Sequence, residues 1–368
     1  MDPIRADLFC RVIDNLGDIG VMWRLARQLT TEKHWEVRLW VDDLVAFKRL
    51  LPAIDPSLPL QKHRSIVIGH WTDQWDTATT PHPVVIAGFS CDLPEPFIKK
   101  MASSDSPTWL QLEYLSAESW VSEFHDRIST RADGLTPVFF FPGFEPDTGG
   151  LLREAGLIEQ RQQWQADPKA AREWLGSLSV DLAPTEQNPR LVSLFCYPDA
   201  PLTDLHAALH AWNAPTKVLV PAGQPIPPSL AETTDNQVSW HQIPFLSPPD
   251  YDRLLWTMDL NFVRGEDSFV RGIWAGRPLV WQPYPQSELT HLNKLDAWLA
   301  KANLPSQVEM LMRQWSQGGR ADLFSQSLAN ALNADTWAQW QASSAQQSHA
   351  LAQQSDLASQ IDQYCRRT

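Results

Sequence analysis

The chain has 368 residues, of which 43% are hydrophobic and 20% are charged. This length corresponds to about two domains of roughly 150 residues each, and the composition excludes a chain that is disordered throughout. With 30 basic and 43 acidic side chains, the formal net charge is −13. We therefore expect no general binding of nucleic acid or of anionic membranes.

The cysteines and the first residues favour a reducing compartment. None of the four cysteines forms a Cys-x-x-Cys pair, so neither a zinc knuckle nor a thioredoxin-type motif is predicted. Residues 1–7 lack the apolar segment of a signal peptide, and no apolar run approaches the ~18 residues of a membrane helix. We expect a cytoplasmic protein.

Short apolar runs alternate with amphipathic segments in the first half of the chain. Residues 8–13 are typical of a strand, 14–20 of a glycine-containing turn, and 21–29 of an amphipathic helix. This order opens a Rossmann-like unit. Further strand-like runs lie at 37–41, 66–69, 84–88, 108–112 and 138–141. Such runs predict a buried parallel sheet.

The pattern breaks at 183–189 and then starts again. Strand-like runs lie at 191–196, 217–220, 260–263 and 278–281, with helical segments at 202–212 and 268–275. We predict a Rossmann-like domain over 1–186 and a second over 187–350, with the terminal segment 351–368 packing back on the first. Two such α/β domains facing across a cleft are similar to the GT-B glycosyltransferase layout.

Two carboxylates follow the first predicted strand. Asp14 and Asp18 lie where ligands bind in such sheets, and Asn15, Leu16 and Gly17 between them would bring the backbone close to a substrate. One carboxylate could take a proton from an acceptor while the other orients it. The alternative is structural, with Asp18 as a helix N-cap and Asp14 as a turn residue.

A second candidate site follows the strand at 260–263. Arg264, Gly265 and Ser268, at the start of a helix, would form a cradle for a diphosphate, so that no metal ion is needed. Glu266 and Asp267 would then hold sugar or ribose hydroxyls. The alternative is a capped helix with a surface salt bridge.

Aromatic residues form a third candidate group. Phe195 and Tyr197 lie at the end of the predicted strand at 191–196, and Pro244 and Phe245 lie further along the chain with Tyr251. A flat ring near a diphosphate cradle can stack on a nucleobase. The alternative for each ring is packing in the core.

Four segments of the chain resemble the EarP family. They are FCRVIDNLGDIGV with WRLARQL at 9–21 and 23–29, LEYLSAE at 112–118, FPGF at 141–144, and NFVRGEDSFVR at 261–271. The resemblance implies a GT-B fold and an inverting, metal-independent enzyme without a cofactor. It implies that rhamnose passes from dTDP-β-L-rhamnose to an arginine of elongation factor P, which activates that factor for ribosomes stalled at polyproline.

The resemblance also implies roles for single residues. Asp18 would be the general base, Asp14 would hold the acceptor guanidinium, and Glu266 would be essential. The donor would be bound by a larger set: Arg264, Asp267 and Ser268 for diphosphate and ribose, and Phe195, Tyr197 and Phe245 for the nucleotide. The chain departs from the family at 247–249, where Ser-Pro-Pro stands in place of a frequent glutamine.

Two other functions stay open on the sequence. The chain could be a non-catalytic module that binds elongation factor P, or a GT-B transferase with a small-molecule acceptor. Asp14, Asp18 and Glu266 favour an enzyme over a binding module.

Overall fold

The computed structural model describes residues 2–14, 16–103, 107–182, 189–212, 214–224, 226–232, 237–317 and 321–367. The chain divides into two compact units. One comprises Met1–Ala155 with Gln354–Thr368, and the other comprises Gly156–Gln353. Among the described residues, no helix is both long and apolar enough to cross a bilayer.

The first unit is built around a sheet that has eight strands in its described part. The strands are β1 (Arg5–Cys10), β2 (Glu36–Val41), β3 (Leu60–His63), β4 (Ile66–His70), β5 (Val84–Gly88), β6 (Thr108–Leu112), β7 (Arg127–Ile128) and β8 (Val138–Phe140). The helices between them are α1 (Gly17–Glu32), α2 (Leu44–Leu50), α3 (Glu95–Ser103) and α4 (Trp120–Phe124). The strand order is β3-β4-β2-β1-β5-β6-β8-β7, with antiparallel strands at both edges.

Strand β1 lies inside this sheet and is covered on both faces. Leu8 and Cys10 point into a core shared with α1, whereas Phe9 points into an aromatic cluster on the opposite face with Trp40 and Trp71. Alternate residues of a strand face opposite sides, so an apolar run without polar gaps belongs in the middle of a sheet. The loop after β1 is therefore anchored to a buried and rigid strand.

The second unit contains a five-stranded parallel sheet in its described part, in the order β11-β10-β9-β12-β13. Its first elements are α5 (Leu157–Gln165), α6 (Pro168–Ser177), β9 (Arg190–Leu194), α7 (Leu202–Leu209), β10 (Thr216–Pro221), α8 (Pro228–Ala231) and β11 (Val238–Ile243). Its later elements are α9 (Pro248–Thr257), β12 (Leu260–Arg264), α10 (Asp267–Ala275), β13 (Leu279–Gln282), α11 (His291–Ala302), α12 (Ser306–Gln317), α13 (Ala321–Ala331) and α14 (Ala334–Ala352).

The boundary between the units lies earlier than the predicted 186/187. Helix α5 groups with the second unit because its side chains bind the helices there. Trp164 Nε1 donates to Thr257 Oγ1 of α9 at 2.9 Å, and Gln165 Nε2 donates to the Ala275 carbonyl of α10 at 3.1 Å. The composition break at 183–189 falls between α6 and β9 of one unit, and 183–188 lie outside the described residues.

The last helix, α15 (Leu357–Arg367), packs on α1 of the first unit. Its apolar face, which includes Leu357 and Ile361, belongs to the core shared by β1 and α1. On the polar side, Trp35 Nε1 donates to Asp362 Oδ1 at 2.7 Å. The chain thus crosses back after α14 to complete the unit in which it started.

A buried ion pair connects α9 to α10 in the second unit. Arg271 donates from Nε and Nη2 to both carboxylate oxygens of Asp252, at 2.8 and 2.7 Å. The two residues are 2% and 5% exposed. Removal of one partner from such a pair leaves a charge in a medium that solvates it poorly.

We therefore expect Asp252→Ala to lower the free energy of unfolding of the second unit by about 3–5 kcal/mol. The double variant Asp252→Leu with Arg271→Met should lose less, because both charges are gone. Urea denaturation would measure both. Equal losses in the two variants would contradict the pairing argument.

Candidate active site

The loop between β1 and α1 is shaped by the carboxylate of Asp18. The backbone N–H groups of Ile13 and Asp14 both donate to its Oδ2, at 2.8 and 2.9 Å. Asp18 is 3% exposed and lies in the first turn of α1. The N-cap is Leu16 and has no side-chain capping bond. The alternative in which Asp18 caps the helix is therefore wrong, since its carboxylate organises the preceding loop instead.

The surroundings of Asp18 raise the pKa of its carboxyl group. Burial is the largest cause that raises the pKa of this carboxyl above its usual value, and the negative charge of Asp14 raises it further. The two backbone donors and the Tyr114 hydroxyl lower the pKa but do not cancel the effect of burial. Asp18 is consequently a stronger base than an exposed aspartate.

The rest of the predicted turn lies close to the two carboxylates. Asp14 is half-buried, and its carbonyl accepts the Gly17 N–H at 2.6 Å. A Cβ at Gly17 would stand 3.0 Å from Asp14 Oδ2, so a side chain there would displace that carboxylate. The Leu16 side chain packs against the core of the first unit. Asn15 lies outside the described residues.

The ends of β5 and β6 add residues that the sequence reasoning left without a role. These strands follow β1 in the sheet, so their carboxyl ends lie at the same edge. The Phe89 ring stacks on Tyr114 with centroids 4.6 Å apart, and Ser90 Oγ bonds to the Glu113 carboxylate at 2.8 Å. Phe89 and Ser90 both have positive φ, 57° and 54°. Consecutive residues in this region are strained and often mark functional sites.

The second candidate site lies in the other unit, at the carboxyl ends of β9 and β12. The Arg264 guanidinium lies between two rings, 4.2 Å from the centroid of Phe195 and 4.7 Å from that of Tyr197. Its Nη1 donates to the Cys196 carbonyl at 2.7 Å. Both rings therefore flank this cation, and their assignment to the nucleotide pocket stays a prediction.

Hydrogen bonds to the backbone of Gly265 hold the turn after β12. Gly265 has φ of 61°, its N–H donates to the Gln282 carbonyl at 2.9 Å, and its carbonyl accepts Trp281 Nε1 at 2.7 Å. Glu266 is the N-cap of α10 without a side-chain capping bond. Asp267 and the buried Ser268 follow in its first turn. The N–H groups of this turn suit an anion.

The predicted residues after β11 reach the same edge of the second sheet. Pro244 is exposed, and the Phe245 side chain is 41% exposed, which leaves a ring face open to a ligand. The Ser-Pro-Pro segment that departs from the family begins α9, since Ser247 Oγ accepts the Asp250 N–H and Pro248 occupies the first turn. This segment therefore caps and begins α9.

No group of three or more His, Cys, Asp or Glu side chains in the described parts of the chain is arranged to hold a metal ion.

Comparisons with known proteins agree along nearly the whole chain. The family model described as "Elongation-Factor P (EF-P) rhamnosyltransferase EarP" matches residues 6–366. A Pseudomonas aeruginosa protein named protein-arginine rhamnosyltransferase is 44% identical over 335 residues, which cover 85% of this chain and 87% of that protein. A Shewanella oneidensis protein of the same name is 39% identical and covers 80% and 79%.

Solved structures extend the comparison to the fold. The structure described as "Structural basis for EarP-mediated arginine glycosylation of translation elongation factor EF-P" matches with a TM-score of 0.67 at 30% identity, over 99% of both chains. A glycosyltransferase from Rickettsia africae matches with a TM-score of 0.52 at 8% identity, over 100% of this chain and 98% of that one. The predicted fold class, an α/β fold of the GT-B type, is confirmed.

Asp18→Asn should leave the fold intact and should not lower its stability at neutral pH. The N–H groups of Ile13 and Asp14 both donate to a single carboxylate oxygen of Asp18. The Oδ1 atom of an asparagine at position 18 can accept the same two bonds. Because burial raises the pKa of Asp18, the stability that this group contributes is present at low pH and lost as the pH rises through that pKa.

Thermal denaturation over a range of pH would test this expectation. The variant should melt at or above the wild-type temperature near neutral pH, and its advantage should shrink toward acid. A variant that melts well below the wild type at neutral pH would show that the negative charge itself holds the loop.

Proposed function

The chain belongs to the EarP family, and on that basis we propose that it transfers rhamnose from dTDP-β-L-rhamnose to an arginine side chain of elongation factor P with inversion. The observation that carries the proposal is the pair Asp14 and Asp18, in which a buried carboxylate with a raised pKa lies beside a second one after β1. A guanidinium offers several N–H donors to such a pair. A cytoplasmic location suits an acceptor that takes part in translation.

Asp18 acts as general base in this proposal. A guanidinium has a pKa above about 12 and is a poor nucleophile while protonated. Asp14 accepts hydrogen bonds from it and orients it. As the bond between nitrogen and the anomeric carbon forms, the bond from that carbon to the diphosphate oxygen breaks. The nitrogen proton passes to Asp18, and the electron pair leaves with dTDP.

The donor binds the second unit in this proposal. The positive charge of Arg264 and the N–H groups that begin α10 stabilise the diphosphate as it leaves. Glu266, Asp267 and Ser268 hold hydroxyls of the sugar and ribose, and the exposed ring of Phe245 stacks on the base. Arg264 and the helix terminus supply the positive field that a metal ion gives in other transferases, so the reaction requires neither metal nor cofactor.

Incubation of the purified chain with dTDP-rhamnose and elongation factor P, followed by mass spectrometry of the factor, tests the proposal. We expect a gain of one deoxyhexose on one arginine. Asp18→Asn should reduce turnover by about 10²- to 10⁴-fold while dTDP still binds. Binding of the factor without transfer would indicate a binding module, and absence of binding would indicate a small-molecule acceptor.

Chelation tests the independence from metal ions. Turnover should persist in excess EDTA, because the charge of the leaving diphosphate is balanced by Arg264 and the helix terminus. The control adds magnesium or manganese back after dialysis. Lost activity that either ion restores would overturn this part of the proposal.

Acceptor recognition should depend on the folded factor and on salt. The chain carries a net charge of −13, which suits an acceptor that presents a basic loop. Because the Debye length falls to about 8 Å at 0.15 M salt, higher ionic strength should slow association with elongation factor P more than it weakens dTDP binding. Rapid mixing and calorimetry measure the two effects.

A short peptide with the target arginine is the matched comparison for the folded domain. Its kcat/KM should be far lower, since two carboxylates alone are a small target. Equal kcat/KM for peptide and domain would contradict recognition of the fold and leave the base assignment untouched.

A further inference from the structure

Two buried glutamines hold the segment that follows β9. The N–H of Cys196 donates to Gln224 Oε1 at 2.9 Å, and the N–H of the next residue, Tyr197, donates to Gln282 Oε1 at 2.8 Å. The glutamines are 8% and 2% exposed. Beyond the end of a strand, buried N–H groups lose their ladder partners and need others. The two side-chain amides supply them.

Gln282 holds two parts of the candidate donor site at once. Its side chain accepts the Tyr197 N–H, and its backbone carbonyl accepts the Gly265 N–H at 2.9 Å. One residue at the end of β13 thereby connects the aromatic segment after β9 to the turn after β12. Arg264, the last residue of β12, contacts the Tyr197 ring. The two bonds of Gln282, together with the bond from Arg264 to the Cys196 carbonyl, hold this cation and ring next to each other.

We infer that Gln282 is a positioning residue that sets the Tyr197 ring against Arg264 and so determines the affinity for the nucleotide diphosphate. The inference rests on the proposed donor site. Gln282 itself need not touch the nucleotide. Gln282 acts by holding the backbone N–H of Tyr197.

Position 282 requires a side chain that has an acceptor oxygen and no negative charge. Gln282 Oε1 accepts from Tyr197, and Nε2 faces the carboxylate of Asp199 at 3.4 Å. A carboxylate in its place would set two negative charges together beside an anion site. A methionine would keep the volume but offer no acceptor oxygen, so the buried Tyr197 N–H would lose its partner.

A comparison of Gln282→Met with Ser193→Ala separates an effect on dTDP affinity from a general loss of stability. Ser193 Oγ donates to Asn261 Oδ1 at 2.6 Å within the same sheet, so its loss also removes a buried hydrogen bond. Ser193 lies inside β9 and its hydroxyl bonds to a residue of β12, so its loss does not release the segment that carries Tyr197. Both variants should melt below the wild type. Calorimetry with dTDP then measures Kd for all three proteins.

We expect Gln282→Met to raise the Kd for dTDP about tenfold, or about 1.4 kcal/mol of binding free energy, because the Tyr197 ring is no longer held against Arg264. Ser193→Ala should change the Kd less than about twofold. In steady-state assays the KM for dTDP-rhamnose should rise by a similar factor. The KM for elongation factor P and kcat should stay within about twofold, a split that a general loss of stability would not produce.

The outcomes are distinct. Equal dTDP affinity in wild type and Gln282→Met overturns the inference and leaves the proposed function standing. A wild type that binds no dTDP overturns the donor assignment and the inference with it. Should Gln282→Met fail to fold, Gln224→Met decides the question, because it releases the adjacent Cys196 N–H. Unchanged dTDP affinity there also overturns the inference.

Discussion

Two backbone N–H groups, those of Ile13 and Asp14, converge on one oxygen of a carboxylate whose burial raises its pKa. The bonds shape the loop, and the loop places the second carboxylate. Because β1 is covered on both faces, the loop begins from a fixed point. The basicity of Asp18 and the geometry of its surroundings thus have a common origin, since burial raises the pKa and the same burial requires that the oxygen be hydrogen-bonded.

The first unit holds a buried carboxylate, whereas the second holds a positive charge. There a cation is held, and aromatic faces and a carbonyl flank the Arg264 guanidinium. Such rings attract a cation without neutralising it, whereas a carboxylate partner would cancel the charge that an anionic ligand needs. In both units the parallel strands bring these groups to the carboxyl edge of a sheet.

The sequence predicts what depends on local pattern. The strand, turn and helix around Asp14 and Asp18 follow from an apolar run and two glycines, and the paired sheets follow from repetition of that pattern. Strand β11 was missed because its Val-Ser-Trp-His-Gln-Ile alternates as an edge strand does. The boundary of the units was misplaced because side chains of α5 bind α9 and α10, a choice that composition cannot reveal. The partners of Phe195 and Tyr197 likewise depend on tertiary contacts.

The return of α15 to α1 has a consequence for the order of assembly during synthesis. The second unit is continuous in the chain and can form as soon as its last helix has emerged from the ribosome. The first unit, translated earlier, lacks Leu357 and Ile361 from its core until residues 357–367 appear. The unit that carries the candidate base is thus the first to be made and the last to be finished, so its apolar surface stays exposed while the second half is translated.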